Sequence, residues 1–190
     1  ARNEIIGGYL FAGMALGFVT LFYYFGMKYF GVWTFPSTRY SNMLGTLFPF
    51  LFPLSLSLIA AISEEFTFRL FSIAFLKRYM KITVIAVVIP AVVWAFAHSS
   101  YAVYPIYTRG IELTIVALAF SYVFLRHGIL CCIVAHYVID AILFSIPLLR
   151  SSDMYFFISG LVVVFLVLAP VILSMIKQKS ESVTKEIGDV

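Results

Sequence analysis

Three stretches of this sequence place ionisable side chains inside runs that are otherwise apolar. A charged side chain at mid-bilayer depth costs about 3 kcal/mol on insertion scales, so such residues usually face a protein interior or water and mark candidate sites. The candidate residues are Glu64, Glu65 and Arg69 in the first stretch, Trp94 and His98 in the second, and His136 and Asp140 in the third.

The spacing within the stretches separates the candidate roles. Glu65 and Arg69 are four residues apart, so on a helix they can pair on one face. Glu64 lies about 100° round the helix from Glu65, which leaves it free for a different role. His136 and Asp140 are also four residues apart and would be stacked on one helical face.

Hydrolysis of an amide bond is chemistry that these residue types can perform. It needs an activated water and a group that holds the developing oxyanion. Glu64 is the candidate general base, and His98, which Trp94 can orient from one turn earlier, can share the proton of the water. His136 and Asp140 can face the scissile carbonyl. An ionised Asp140 cannot donate a hydrogen bond, so it is either protonated or holds His136 in a donating state.

Other interpretations of the same residues stay open at this point. Glu65–Arg69 can be a purely structural ion pair, and the histidines can be packing contacts between helices. Glu64, His98 and His136 also make up a set of two histidines and one glutamate, which is known from catalytic zinc sites, although the chain has no His-Glu-x-x-His motif. A buried polar cluster also suits a non-catalytic immunity or regulatory protein, a small transporter or a proton relay.

The composition indicates which elements must position these residues. The chain is 63% hydrophobic and 12% charged, with a mean hydropathy of +1.03, whereas soluble domains are about 45–50% apolar and about 25% charged. We therefore predict an all-α, polytopic bundle of about six transmembrane helices in the lipid bilayer. The basic residues sit at the ends of the runs, so nucleic acid is not an expected partner. The apolar runs are 5–27, 46–76, 82–104, 111–125, 129–149 and 154–176.

These runs predict one transmembrane domain over residues 1–176, with its motif core at 63–140, followed by a polar cytoplasmic tail over 177–190. The chain begins at Ala1 rather than Met, so we expect a segment upstream, and run 5–27 is too long for the apolar part of a signal peptide. The second run exceeds a straight span, and Pro49 and Pro53 predict a bend near its start. The connection 28–44 predicts an interfacial loop or a short surface helix.

The helix rise places the acidic and histidine candidates near the middle of a hydrocarbon core about 30 Å thick, so separate helices can present them at one level. Arg109 and Glu112, three residues apart near one membrane edge, are expected to form an interfacial pair. Lysines and arginines number eight on the side of both termini and four on the other, so both termini are predicted to be cytoplasmic. We expect the cavity to open on that cytoplasmic side, where the second helix leads.

Taken in order, the three stretches resemble the signature of the CPBP intramembrane protease family. That family includes the type II CAAX prenyl endopeptidases and the bacterial Abi proteins linked to bacteriocin processing and self-immunity. The resemblance covers residues 63–140, less than half of the chain. The residues that carry it are Glu64-Glu65-x-x-x-Arg69, then Trp94-x-x-x-His98, then His136-x-x-x-Asp140.

The resemblance implies a glutamate-dependent intramembrane endopeptidase that needs no metal or other cofactor. By position, Glu64 matches the catalytic glutamate, and His98 matches its partner in activating water. Glu65 and Arg69 match the supporting pair, and His136 matches a histidine on the oxyanion side.

Two positions depart from the family pattern. Asp140 stands where many members have asparagine, which can donate a hydrogen bond directly, and Trp94 stands where phenylalanine is usual. The implied substrate is a peptide or protein, with membrane-bound and lipidated chains included. Six helices are fewer than the eight of the prenyl-protease branch, so a prenyl-binding part need not be present.

Overall fold

The protein, seen in a computed structural model, is described over residues 2–34 and 44–188, with side chains as far as residue 174. Within these residues the chain forms six helices, and two-residue strands β1 (Trp33–Thr34) and β2 (Val103–Tyr104) pair antiparallel. The predicted all-α bundle is confirmed. The helices are α1 (Arg2–Tyr29), α2 (Leu51–Met80), α3 (Thr83–Ala97), α4 (Tyr107–His127), α5 (Ile129–Leu149) and α6 (Met154–Gly188).

Five of the six helices in the described part of the chain are long and apolar enough to cross a membrane, which makes this an integral, multi-pass membrane protein. The exception is α3, which has only 15 residues. Its run was predicted to continue to residue 104, but the helix ends at Ala97. The chain turns there, beginning with His98, and then pairs with β1 through β2.

The centre of the bundle is α5, which packs against α1, α2 and α6, while α3 packs against α4. Small residues allow this close approach, as is usual between helices in lipid. Ala12, Ala135 and Ala141 are fully buried. A Cβ atom added to Gly8 on α1 would lie 2.7 Å from the Val134 side chain on α5, so this crossing has no room for a larger residue.

Helices α2 and α4 each end at a residue with positive φ. Lys81 stops α2 in the left-handed region at φ 55°, and Gly128 separates α4 from α5 at φ 84°. Lys77 and Arg78 occupy the last turn of α2, where cations interact favourably with the helix dipole. These termini lie at the same end of the bundle as the start of α1, because the helices alternate in direction.

The irregularity in α2 lies away from Pro49 and Pro53, where the bend was predicted. The helix begins at Leu51, so Pro49 precedes it and Pro53 lies in the first turn, where proline is tolerated. A π-helical turn at Glu65–Phe71 interrupts the α-helical pattern instead. At the far end of the chain, α6 stays helical to Gly188, through most of the predicted tail. Most of the predicted surface segment within 28–44 lies outside the described residues.

Candidate active site

The π-helical turn of α2 is the element that presents the first group of candidate residues. Its hydrogen bonds span five residues rather than four, as in the bond from the Ser72 amide to the Thr67 carbonyl. Such turns are rare and occur frequently at functional sites. Thr67 Oγ1 also donates to the Ser63 carbonyl at 2.7 Å. The turn begins directly after Glu64, so the two neighbouring glutamates sit at the junction of two helical geometries.

Glu65 and Arg69 form the predicted pair, and it is sealed inside the protein. Arg69 Nη1 lies 3.1 Å from Glu65 Oε1, and the two side chains are 2% and 0% exposed. The guanidinium carbon lies 4.6 Å from the centroid of the Trp94 ring and 5.2 Å from that of Phe120. His136 Nδ1 adds a 2.8 Å hydrogen bond to Glu65 Oε1. Glu65 therefore neutralises the guanidinium charge.

Glu64 points the other way, as the 100° offset predicts, and its side chain is 27% exposed. Trp94 Nε1 donates a 2.5 Å hydrogen bond to Glu64 Oε2. The same oxygen lies 3.9 Å from His98 Nε2 and 3.9 Å from His136 Nε2. Those two distances are too long for hydrogen bonds. They leave Glu64 with one fixed donor and two imidazoles within reach of a shared water.

The ring of His98 is oriented by the end of α3. His98 Nδ1 lies 2.7 Å from the Trp94 carbonyl oxygen, which only accepts hydrogen bonds, so Nδ1 carries the proton. This bond leaves Nε2, the nitrogen facing Glu64, with its lone pair free. The ring also stacks on Tyr101, with the two centroids 5.8 Å apart. Trp94 thus orients both the general-base candidate, through its indole, and the histidine, through its carbonyl.

His136 lies between three carboxylates. Its Nδ1 contacts Glu65, while its Nε2 lies 3.4 Å from Asp140 Oδ2 on the next turn of α5. Ionised carboxylates only accept hydrogen bonds, so a proton on each ring nitrogen satisfies both contacts. The His136 side chain is 8% exposed, against 23% for Asp140. This arrangement is the donating state that the sequence analysis offered as one role for Asp140.

A cavity of about 170 Å³ lies where α1, α2, α3, α4 and α5 meet. That volume holds several waters, since each occupies about 30 Å³ in the liquid. Glu65 and Arg69 do not line the cavity and lie behind its wall. All seven predicted residues are thus brought together, two as support and five at the surface. The five that line it are Glu64, Trp94, His98, His136 and Asp140.

A second cavity, of about 400 Å³, adjoins the first, and both are lined by Tyr101, Arg109 and Asp140. It extends to Thr34 and Val103, in the two strands. The route therefore leads to the end of the bundle where α1 ends and α2 begins. The expectation that the cavity opens where α2 ends is wrong, because its lining comes from the N-terminal half of α2 and the C-terminal half of α5.

Sequence reasoning predicted the pair of Arg109 and Glu112 but not its place in this cavity. Arg109 Nη1 lies 2.6 Å from Glu112 Oε2, and Tyr23 donates to that oxygen at 3.3 Å. The pair was expected at the membrane interface, but the Glu112 side chain is 0% exposed and lines the cavity with Glu64. Tyr23 on α1 contacts Glu112, so α1 helps to cover this residue. The sequence signal for this burial was an acidic residue, Glu112, inside an otherwise apolar run.

The donor set was also tested for a metal ion. Among the described side chains, residues 2–34 and 44–174, no group of three or more His, Cys, Asp or Glu has an arrangement that could hold one. Glu64, His98 and His136 face the cavity together, with Nε2 of each imidazole 3.9 Å from Glu64 Oε2. A chelator distinguishes this arrangement from a zinc site.

Comparison with known proteins gives one family and one relative. The model of the family described as type II CAAX prenyl endopeptidase Rce1-like matches residues 45–142, slightly over half of the chain. The sporulation-killing factor biosynthesis protein SkfC of Bacillus subtilis (strain 168) is 27% identical over 95 residues. Those residues are 50% of this chain and 19% of SkfC, so the chain spans about a fifth of the length of that relative. No solved structure matches.

The family match and the geometry concern the same part of the molecule. Residues 45–142 contain α2 and α3, α4 and the part of α5 that carries the third motif, and they include every predicted site residue. SkfC comes from the same wider CPBP family. This multi-pass membrane protein therefore belongs to the Rce1-like family of type II CAAX prenyl endopeptidases.

Proposed function

We propose that the protein is an intramembrane endopeptidase in which Glu64 and His98 activate the water that attacks a peptide bond. One observation carries the proposal. Glu64 Oε2 faces two imidazole nitrogens at 3.9 Å, while the neighbouring Glu65 takes up the charge of Arg69. Glu64 therefore stays available as a base in a cavity that holds water. A charge in an apolar span is expected to have such a function.

The first step is the attack of water on the carbonyl carbon. Glu64 accepts one proton of the water as its oxygen attacks, and the free lone pair of His98 Nε2 accepts a hydrogen bond from the other proton. The Trp94 carbonyl keeps the opposite nitrogen of His98 protonated. When the tetrahedral intermediate collapses, the carbon–nitrogen bond breaks, and Glu64 returns its proton to the leaving amine.

The developing oxyanion needs a donor, and His136 supplies it. With a proton on each nitrogen, His136 holds Glu65 through Nδ1, and its Nε2–H, which lies 3.4 Å from Asp140 Oδ2 and 3.9 Å from Glu64 Oε2, is shared between Asp140 and the oxyanion. Donors aimed at the developing charge typically contribute about 2.7–4 kcal/mol to catalysis. Asp140 is then a positioning residue, because it orients His136, and the imidazole of His136 donates the hydrogen bond to the oxyanion.

The substrate on this proposal is a peptide or a protein segment that reaches the cavity through the bilayer, membrane-bound or lipidated chains included. The wall of the cavity mixes the polar residues with apolar side chains from α1, α2 and α5. Such a wall accepts an unfolded stretch of chain that carries apolar side chains.

The experiment is cleavage of a peptide library, with and without attached lipid, by the full chain in detergent. We expect Glu64→Gln to lower turnover by about 10²–10⁴-fold, because the carboxylate that takes the proton is lost. Ser63→Ala is the matched control on the same helix, since the Ser63 hydroxyl bonds only to the Ile59 and Ala60 carbonyls. Thermal unfolding of each variant shows that the fold persists.

Turnover that survives in folded Glu64→Gln would contradict the proposal and favour a non-catalytic membrane protein. The same cleavage assay with a strong chelator added tests whether the mechanism is independent of a metal ion. We expect wild-type turnover to be unchanged by a strong chelator, and a loss that zinc restores would assign the site to a metalloprotease.

We also propose that both termini are cytoplasmic, because basic residues concentrate at the end of the bundle that they share. The cavity leads to the other end, so substrate would enter from the non-cytoplasmic side. Single cysteines in place of Lys28 and Lys81, in a chain lacking Cys131 and Cys132, test this with a membrane-impermeant maleimide on intact cells. Labelling at 28 but not at 81 is expected, and the reverse pattern would invert the topology.

A further inference from the structure

The wall of the catalytic cavity contains a second pair of charged residues that the mechanism above does not use. Arg109 and Glu112 lie in the first turns of α4 and line the same cavity as Glu64 and His98. Arg109 also lines the adjoining cavity that leads out of the bundle. The pair therefore stands beside the route that a substrate takes to the general base.

Both members of this pair have buried polar atoms that lack a partner. Among the described residues, neither Glu112 Oε1 nor Arg109 Nε makes a hydrogen bond. The Glu112 side chain is fully buried and that of Arg109 is 17% exposed. Leaving a buried charged group unsatisfied is costly, so such atoms are candidates for contact with a ligand.

Unpaired atoms also occur at the other acid–arginine pair, and the difference between the two pairs matters. Glu65 Oε2 and the terminal nitrogens of Arg69 make no hydrogen bond within the described residues. However, aromatic rings cover that guanidinium, and neither residue lines the cavity. Within the described residues, Arg109 and Glu112 are the charged pair that combines unpaired atoms with a position in the cavity wall.

We propose that Arg109 and Glu112 form a subsite that binds the main chain of the substrate beside the scissile bond. The inference rests on the proposed peptidase function and names a part of its substrate site. A peptide unit has one donor and one acceptor. Its N–H can donate to Glu112 Oε1 while a neighbouring carbonyl accepts from Arg109 Nε. A peptide unit has no net charge, and neither has the pair of Arg109 and Glu112. Binding therefore leaves no charge uncompensated.

The position of the pair fits a residue close to the bond that is cut. The Arg109 guanidinium carbon lies 5.2 Å from the Tyr101 ring centroid, and that ring lies 5.8 Å from the His98 ring. At about 3.3–3.6 Å per extended residue, the subsite is no more than about three residues from His98. A subsite of this kind binds the main chain of the substrate rather than its side chains. It therefore favours substrates that enter in an extended conformation.

The test replaces single backbone amides of the best-cleaved library peptide by esters, which lack the N–H. In the wild type, we expect one ester position within three residues of the scissile bond to raise KM about tenfold. In Arg109→Met/Glu112→Met, that penalty should disappear, with KM already raised for the all-amide peptide. The double substitution removes both charges together, which leaves no buried charge unpaired and commonly preserves stability.

Thr114→Ala is the control on the same helix, because the Thr114 hydroxyl bonds to the Gly110 carbonyl. This variant should keep the ester penalty. Equal penalties in the wild type and the double variant, or no penalty at any position, would overturn the subsite while leaving the peptidase intact. A wild type that cleaves no peptide would overturn both the proposed function and the subsite.

Discussion

Two acid–arginine pairs stand within one bundle, and they behave differently although their sequence spacing is nearly the same. The inner pair, Glu65 and Arg69, is four residues apart on α2, and the outer pair, Arg109 and Glu112, is three apart on α4. The glutamate is fully buried in both pairs. The inner arginine is enclosed by aromatic rings, whereas the outer arginine reaches the cavity.

The difference shows that the neighbours of an ion pair, rather than its spacing, decide what the pair can do. The inner pair is closed by His136 and Trp94, which themselves contact Glu64. It therefore holds the geometry of the proposed catalytic residues in place. Within the part of the chain that the structure describes, the outer pair has one further donor, Tyr23, and it lines the cavity. It is suited to binding.

The largest effect should come from breaking the inner pair. Arg69→Met leaves Glu65 as a fully buried charge without its counterion, so we expect the free energy of unfolding to fall by about 3–5 kcal/mol. Arg109→Met should lower it less, by about 2 kcal/mol, because Tyr23 still donates a hydrogen bond to Glu112 and Arg109 itself is partly exposed. Thermal and denaturant unfolding in detergent measure both losses.

Glu65→Gln/Arg69→Met is the control for that comparison, since it removes both charges and should recover part of the lost stability. Equal destabilisation by Arg69→Met and Arg109→Met would show that the two pairs have the same structural role. That result would contradict the distinction drawn between them.

A smaller effect is expected where the inner pair meets the general base. Trp94→Phe keeps an aromatic ring beside Arg69 but removes the hydrogen bond to Glu64 Oε2. Because this hydrogen bond orients Glu64, kcat should fall about tenfold, and the unfolding temperature should fall less than in Arg69→Met. An unchanged kcat would mean that Glu64 is positioned without the indole.

The smallest effect concerns Asp140, which lines the cavity with the outer pair and contacts His136 of the inner group. Asp140→Asn keeps an oxygen that accepts from His136 and restores the residue usual in the family, so kcat/KM should stay within about threefold of the wild type. Asp140→Leu, which cannot accept that bond, should lower kcat/KM about tenfold. Equal losses in the two variants would show that the charge itself is required.

The sequence predicted most of the site because charges in lipid are rare and have few possible locations. Glu64, His98 and His136 were assigned to one level of the bilayer from helix rise alone, and the structure brings them together. The i,i+4 pairing of Glu65 with Arg69 followed from helical geometry, and it is present. The spacing of residues along a helix indicates which of them share a face, so pairs of this kind can be predicted from the sequence.

Other features depend on tertiary contacts that no local pattern contains. The burial of Glu112 involves a contact with Tyr23 of α1, which lies 89 positions away in the sequence. The π-helical turn at Glu65–Phe71 has no sequence signature that we could read, whereas the two prolines suggested a bend elsewhere. The direction of the cavity required knowing which halves of α2 and α5 face inward.

The brevity of α3 has a consequence for the membrane itself. Its 15 residues span about 22 Å, several ångströms less than a hydrocarbon layer about 30 Å thick. Lipids beside a short segment thin locally or tilt their headgroups inward to match it. The mismatch falls at His98, where the helix ends. We therefore expect the fold to thin the bilayer beside the candidate active site, which shortens the path by which water reaches that site.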